Sequence, residues 1–268
     1  MAPTGTPATP KNFIILLGGP GLFLGCDKAH DQTWRNYLVP IQLAAQRNLY
    51  KRQSGEQIHL LVYEPPYKAR WTDDSVIDRT ELKQDDGYWL HSNRKKDADN
   101  IKSKGGLNYL HRIQQVAQNN GMKYVGLKKK EDFWKFIKNL PDNSVSRVWY
   151  SGHAAGGGLM LSLQHGSTCG PEADRKDVIL VSEIAGNRSL DKKFISGTTQ
   201  SKFYGCYTET FARKWRDVFK VPAAGAVNKI DFGVIDRASS ISNILERIEK
   251  TPTTHGPPIW TEHKPVSP

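Results

Sequence analysis

Two short β-prone runs each end on a side chain that can do chemistry. Residues 145–150 lead into Ser151-Gly152-His153, and residues 201–204 lead into Gly205-Cys206. Chemistry in open α/β sheets gathers at the carboxyl ends of the strands, so we expect His153 and Cys206 to meet at one edge. A thiol beside an imidazole suits nucleophilic catalysis, because the thiolate attacks and the imidazole takes the proton. The competing interpretation is that these are two unrelated residues at strand ends.

The residues around this pair favour the same chemistry. A helix is predicted for residues 208–220, with Thr208 as N-cap, so Cys206 lies just before a helix N-terminus that stabilises a thiolate. The backbone N–H groups of Ala154 and Cys206 are candidate donors to a developing oxyanion. The glycines at 156–158 allow close approach of backbone to another group.

The order of the remaining elements predicts how the two residues are held. Apolar runs at 12–17 and 58–63 are typical of strands buried on both faces, and amphipathic helices are predicted near 107–120 and 131–140. Strands and helices alternate along most of the chain. This pattern predicts an α/β fold with one doubly wound, mostly parallel sheet and helices on both faces.

Further elements and the domain limits follow from composition. We predict a helix at 34–45, strands at 124–126, 221–227 and 231–235, and a final helix at 241–248. Residues 178–184 either begin a helix or form a strand, and a helix is favoured from Val181 to Leu190. We predict a disordered leader at 1–11, a single α/β domain at 12–250 with a charged insertion at 67–106, and a Pro-rich extended tail at 251–268.

Composition excludes several classes of protein. The chain has 268 residues, a net charge of +11 and only three cysteines, which do not make a disulfide framework. No apolar run is long enough for a transmembrane helix or a secretory signal, so a cytoplasmic location or signal-independent export is predicted. Cys-x-x-Cys and His-x-x-x-His spacings are absent, and Gly18-Gly-Pro-Gly21 is not a nucleotide-binding motif, so no metal or cofactor is predicted.

The two strand ends and their spacing resemble a known family. His153 precedes Cys206 by 53 residues, close to the spacing of about 50 in caspases. The chain over 12–235 resembles the caspase-like cysteine peptidases, the group with caspases, metacaspases, clostripain-like and gingipain-like enzymes, and it is most similar to bacterial members. The departures are Ala154 after the histidine and the absence of the caspase motif around the cysteine.

The resemblance implies a fold and an activity. It implies a caspase-like endopeptidase that needs no cofactor and cleaves peptide bonds through a thioester on Cys206, with His153 as general acid and base. Its cellular role by analogy is that of an effector, toxin or defence protease. The family's loop after the first strand shapes the substrate pocket, and here it carries Asp27 and Asp31. These carboxylates are candidates for recognising Lys or Arg, or they cap the following helix.

Two further hypotheses remain open from the sequence. The chain is either a peptidase with a protein or peptide substrate and an inhibitor or immunity protein as partner, or a non-catalytic basic module that binds nucleic acid or an acidic protein. Nucleic acid is disfavoured because the basic residues are spread out, and no membrane partner is predicted. A different thiol-dependent acyl transfer, such as that of an amidase acting on a non-peptide amide, uses the same residues and stays open.

Overall fold

The computed structural model describes residues 10–19, 21–23, 55–68, 109–165, 171–172, 177–197, 199–230, 248–250, 252 and 259–264. These residues form one large sheet and two small ones. The strands are β1 (Lys11–Leu17), β2 (Gly21–Phe23), β3 (Glu56–Tyr63), β4 (Lys123–Leu127), β5 (Val145–Ser151), β6 (Ala154–Ala155), β7 (Gly158–Met160), β8 (Leu163–His165), β9 (Pro171–Glu172), β10 (Val178–Leu180), β11 (Gln200–Tyr204), β12 (Ala223–Ala226) and β13 (Trp260–His263).

The large sheet has the order β13-β12-β11-β5-β1-β3-β4. Its neighbouring strands pair in parallel, except that β13 runs antiparallel to β12. Strand β1 lies in the centre, and its residues 13–17 each expose 3 % of their surface or less. A continuous apolar run is therefore required here, because both faces of the strand are covered.

Helices cover the two faces of the sheet. They are α1 (Tyr109–Asn119), α2 (Glu131–Asn139), α3 (Val181–Gly186) and α4 (Glu209–Phe219), with a 3-10 helix at Arg188–Lys193. One core joins Phe13 and Ile15 to α1, and the other joins Ile14 and Leu16 to α2 and α4. Alternate residues of β1 thus serve opposite cores, as the two-residue period of a strand requires.

A buried polar network lies at the amino ends of the central strands. The Asn12 side chain donates to Ser144 Oγ over 3.0 Å, and its Oδ1 lies 2.8 Å from His59 Nε2. Close by, the buried Arg147 guanidinium forms a two-point ion pair with the buried Glu56 carboxylate. Because both charges are buried away from water, each is stabilised by the opposite charge of its partner.

The predicted α/β class is confirmed: the sheet is mostly parallel and helices pack on both faces. The ambiguous segment near 178–190 is a strand, β10, followed at once by helix α3. Strand β13 lies within the segment predicted to be a Pro-rich tail, where it joins the edge of the sheet. The predicted helix at 34–45, the strand at 231–235 and most of the final helix lie outside the described residues. Among the described helices, none is long and apolar enough to cross a membrane.

Candidate functional site

Strands β5 and β11 are neighbours and end together. Tyr204 pairs with Ser151 at the carboxyl end of the two strands, and Gly152 N–H donates to the Tyr204 carbonyl over 3.1 Å. His153 follows Ser151 by two residues, and Cys206 follows Tyr204 by two residues. The parallel register therefore delivers the predicted histidine and cysteine to the same edge of the sheet.

The turn that carries Cys206 is strained. Tyr207, between the cysteine and helix α4, has a φ of 57°, in the left-handed region that bulky residues rarely adopt. Its N–H donates to the Asn228 carbonyl over 3.1 Å, which holds this conformation. Strain of this kind is found at functional turns, and a nucleophile at the tip of a sharp strand-to-helix turn is a recurrent arrangement.

Thr208 fixes the turn from inside the protein. Its buried hydroxyl donates to the Phe203 carbonyl over 2.7 Å and accepts the Ala226 N–H over 3.0 Å. Thr208 stands at the N-cap position of α4, but its side chain makes no capping hydrogen bond, so the predicted capping role is wrong. Because the hydroxyl points back to the sheet, Thr208 does not cap the first-turn N–H groups of α4, next to Cys206.

The two turns pack directly against each other. A Cβ added to Gly205 would lie 2.7 Å from Ala154 Cβ and 3.0 Å from the Gly152 carbonyl oxygen. Glycine is therefore required at position 205 because a side chain would not fit between the two turns. The backbone conformation of Gly205 itself is ordinary. This contact places the residue before Cys206 against the residue after His153.

The backbone of His153 begins a small hairpin formed by β6 and β7. Met160 N–H donates to the His153 carbonyl over 2.9 Å, and Ala154 pairs opposite Leu159. Hydrogen-bonded and non-bonded pairs alternate in an antiparallel ladder, so the Ala154 N–H is directed away from β7. This direction suits the predicted role of the Ala154 N–H as an oxyanion donor.

Cys206 is half-buried and packs against the core that contains α1. Its Sγ lies 3.8 Å from the Ile230 carbonyl, a weak thiol hydrogen bond. Burial raises the pKa of Tyr150 well above its ordinary value, and the charges of Tyr67 and Cys206 raise it further. Cys206 is thus within electrostatic range of the Tyr150 hydroxyl, which bonds the His153 carbonyl.

Asp27 and Asp31, the candidate specificity residues, lie outside the described residues, as do Cys26 and Cys169. Within the ranges that the structure describes, no group of three or more His, Cys, Asp or Glu side chains is placed to hold a metal ion.

Sequence reasoning missed two features of the site. Tyr150 was assigned only to a strand, although its hydroxyl contacts the turn that carries His153. Tyr207 had no assigned role, since a tyrosine gives no local signal for a left-handed conformation. The Ser-Gly-His and Gly-Cys sequences gave the available clue, because glycines beside reactive residues indicate close backbone approach.

Comparison with known proteins identifies no family for this chain. No family model matches it, and no curated protein matches it. Among solved structures, NDP-N-acetyl-D-galactosaminuronic acid dehydrogenase from Methanosarcina mazei Go1 is similar at 10 % identity with a TM-score of 0.33. The match covers 91 % of this chain and 38 % of that one. A likeness this slight carries no argument about the activity of this chain.

These findings contradict the caspase-like cysteine peptidase predicted from the sequence. No family model and no curated protein matches the chain, so the comparisons give no caspase-like relative. The resemblance, the endopeptidase activity and the effector role that depended on it are therefore wrong. The parallel pairing of β5 with β11, which brings His153 and Cys206 to one edge of the sheet, does not depend on that resemblance.

Proposed function

We propose that this chain catalyses thiol-dependent acyl transfer from a small, non-peptide acyl donor such as an ester or a thioester. In this proposal Cys206 is the nucleophile and His153 is the proton acceptor. The N–H groups of Ala154 and Cys206 stabilise the oxyanion. The observation that most supports this proposal is the strained turn at Tyr207, which holds the Cys206 thiol between a strand and a helix. The neighbouring strand β5 ends beside it and leads into His153.

The reaction divides into two balanced steps. In the first step, Cys206 Sγ bonds to the carbonyl carbon of the donor while His153 takes the thiol proton. The tetrahedral oxyanion collapses, the bond from carbon to the leaving oxygen or sulfur breaks, and His153 protonates the leaving group. In the second step, water or another nucleophile bonds to the thioester carbon and loses its proton to His153. The bond from that carbon to Cys206 Sγ then breaks, the acyl product leaves, and His153 returns the proton to the sulfur.

Ester and thioester donors suit this site because their leaving groups need little protonation by a general acid. An alkoxide or thiolate departs with less help from a general acid than the amine of an amide does. The required parts are then a thiolate, one imidazole and backbone N–H donors. In this proposal Cys206, His153 and the two backbone N–H groups take these parts, and the close approach of the two turns at Gly205 supports it.

The proposal is tested with p-nitrophenyl acetate and mass spectrometry. Wild type should release a burst of p-nitrophenol and gain the mass of one acetyl group on the peptide that contains Cys206. Cys206→Ala should lose both signals, and His153→Ala should slow the burst by about a hundredfold or more, the usual contribution of a general base. Cys26 and Cys169 serve as internal controls, because background acetylation would modify all three thiols.

Selective alkylation by iodoacetamide gives an independent measurement. The proposal requires Cys206 to react faster than the other two cysteines, and to lose this advantage in the His153→Ala variant. Equal and slow modification of all three cysteines, or an unchanged rate in His153→Ala, would refute the proposed function.

A further inference from the structure

Tyr150 is a buried strand residue whose hydroxyl serves the turn beside it. It exposes 0 % of its surface, and its hydroxyl bonds to the His153 carbonyl and lies 2.7 Å from the Met160 carbonyl. The phenol has one proton for two acceptors, so the two carbonyls share it. A buried hydroxyl placed between two main-chain carbonyls restricts the backbone on both sides.

The two carbonyls belong to opposite legs of the β6–β7 hairpin. Met160 N–H also donates to the His153 carbonyl over 2.9 Å. The Tyr150 hydroxyl thus joins the base of the hairpin to strand β5. The His153 carbonyl thus accepts hydrogen bonds from both the Tyr150 hydroxyl and the Met160 N–H. These two bonds fix the peptide plane between His153 and Ala154.

Two glycines make room for this hydroxyl. A Cβ at Gly152 would lie 2.6 Å from Tyr150 Oη, and one at Gly18 would lie 2.9 Å from it. On the other side, the Tyr67 hydroxyl donates to the Gly18 carbonyl over 2.7 Å. Side chains and glycines from three segments therefore enclose one phenol oxygen beside His153.

We propose that Tyr150 is a positioning residue that sets the orientation of His153 toward Cys206. The inference rests on the proposed function, since it assigns Tyr150 a role in the same site. In this role Tyr150 contributes a hydrogen bond to the His153 carbonyl. It acts through the backbone of His153.

The matched variants are Tyr150→Phe and Tyr63→Phe. Each removes one buried phenol hydroxyl from a central strand, and the Tyr63 hydroxyl bonds to Asp177 instead of the hairpin. We would measure the rate of Cys206 alkylation by iodoacetamide from acid to alkaline pH, together with the thermal midpoint of each variant. A loss of stability alone would lower the thermal midpoint in both variants and leave the pH profile unchanged.

We expect Tyr150→Phe to move the midpoint of the pH–rate profile upward by about one unit, which slows alkylation about tenfold below the midpoint. Tyr63→Phe should keep the wild-type profile. In the His153→Ala background, Tyr150→Phe should have no further effect, because the residue acts through His153. Gly18→Ala, which crowds the same hydroxyl, should shift the profile in the same direction and covers the case in which Tyr150→Phe does not fold.

The inference and the proposed function fail in different ways. A wild-type Cys206 that is no more reactive than the other cysteines would overturn both. A reactive Cys206 that depends on His153 but is unaffected by Tyr150→Phe would overturn only the role of Tyr150. An equal effect of Tyr150→Phe with and without His153 would also overturn it.

Discussion

His59 should make the protein less stable as pH falls, and the size of the loss follows from its surroundings. The pKa of His59 is lowered from 6.5 to about 4, chiefly by burial and in addition by the charge of Lys123, its neighbour on β4. The ring also packs edge-on against Phe136, with centroids 5.1 Å apart, and its Nε2 lies 2.8 Å from Asn12 Oδ1. The folded protein therefore favours the neutral imidazole.

The sign and the magnitude follow from linkage. Because the folded pKa is lower than the unfolded one, the stabilisation is complete above pH 6.5 and is lost as pH falls toward 4. The free energy of unfolding should fall by about 2 kcal/mol between neutral pH and pH 5, and by about 3 kcal/mol at pH 4. Carboxyl groups also titrate in this range, so the contribution of His59 must be isolated by a variant.

The measurement is urea unfolding at several pH values for wild type, His59→Gln and His111→Gln. Gln at position 59 keeps a polar group near Asn12 but cannot gain a proton, so its stability should decline less than that of wild type below pH 6.5. His111→Gln replaces an exposed histidine on α1 and serves as the control for the change from His to Gln itself. If His59→Gln and wild type lose stability in parallel, the burial argument is wrong.

Three further predictions concern the buried pair and the turn. Glu56→Gln should cost about 3–5 kcal/mol in chemical denaturation because it leaves the Arg147 charge buried without its partner, and the double change of Glu56→Gln with Arg147→Met should recover most of that loss. Thr208→Val should lower the free energy of unfolding by about 1–3 kcal/mol, since it removes a buried hydroxyl with three backbone partners, and calorimetry would show no shift if those bonds are unimportant. Gly205→Ala should slow iodoacetamide labelling of Cys206 by forcing the two turns apart, and an unchanged rate would contradict the close approach seen at this glycine.

The sequence predicted the sheet because its signals are local. The runs at 12–17 and 58–63 are apolar on both faces, a pattern that few structures other than a covered parallel strand require. The boundary within 178–190 was ambiguous, because a β-branched run passes from β10 into α3 without a breaking residue. Strand β13 was missed because its polar sequence, Trp260–His263, becomes a strand only by pairing with β12.

The candidate site was predicted only in part. The residue types and the parallel order were enough to bring His153 and Cys206 to one edge. The hydroxyl of Thr208 was assigned to a helix cap because Ser and Thr favour that position, whereas tertiary contacts turn it to Phe203. The hydrogen bond from Tyr150 was not predictable, since nothing in a strand sequence shows which backbone its side chain will meet.

The central place of β1 has a consequence for synthesis of the chain. Asn12 of β1 bonds to Ser144, which lies 132 residues later and directly precedes β5. Strand β3, the other neighbour of β1 in the sheet, is much nearer in sequence. As the chain emerges from the ribosome, β1 can pair with β3 but must wait for β5 with one hydrogen-bonding side uncovered. An apolar strand with an open edge attracts other chains. We therefore expect the early nascent chain, more than the finished protein, to depend on chaperones for solubility.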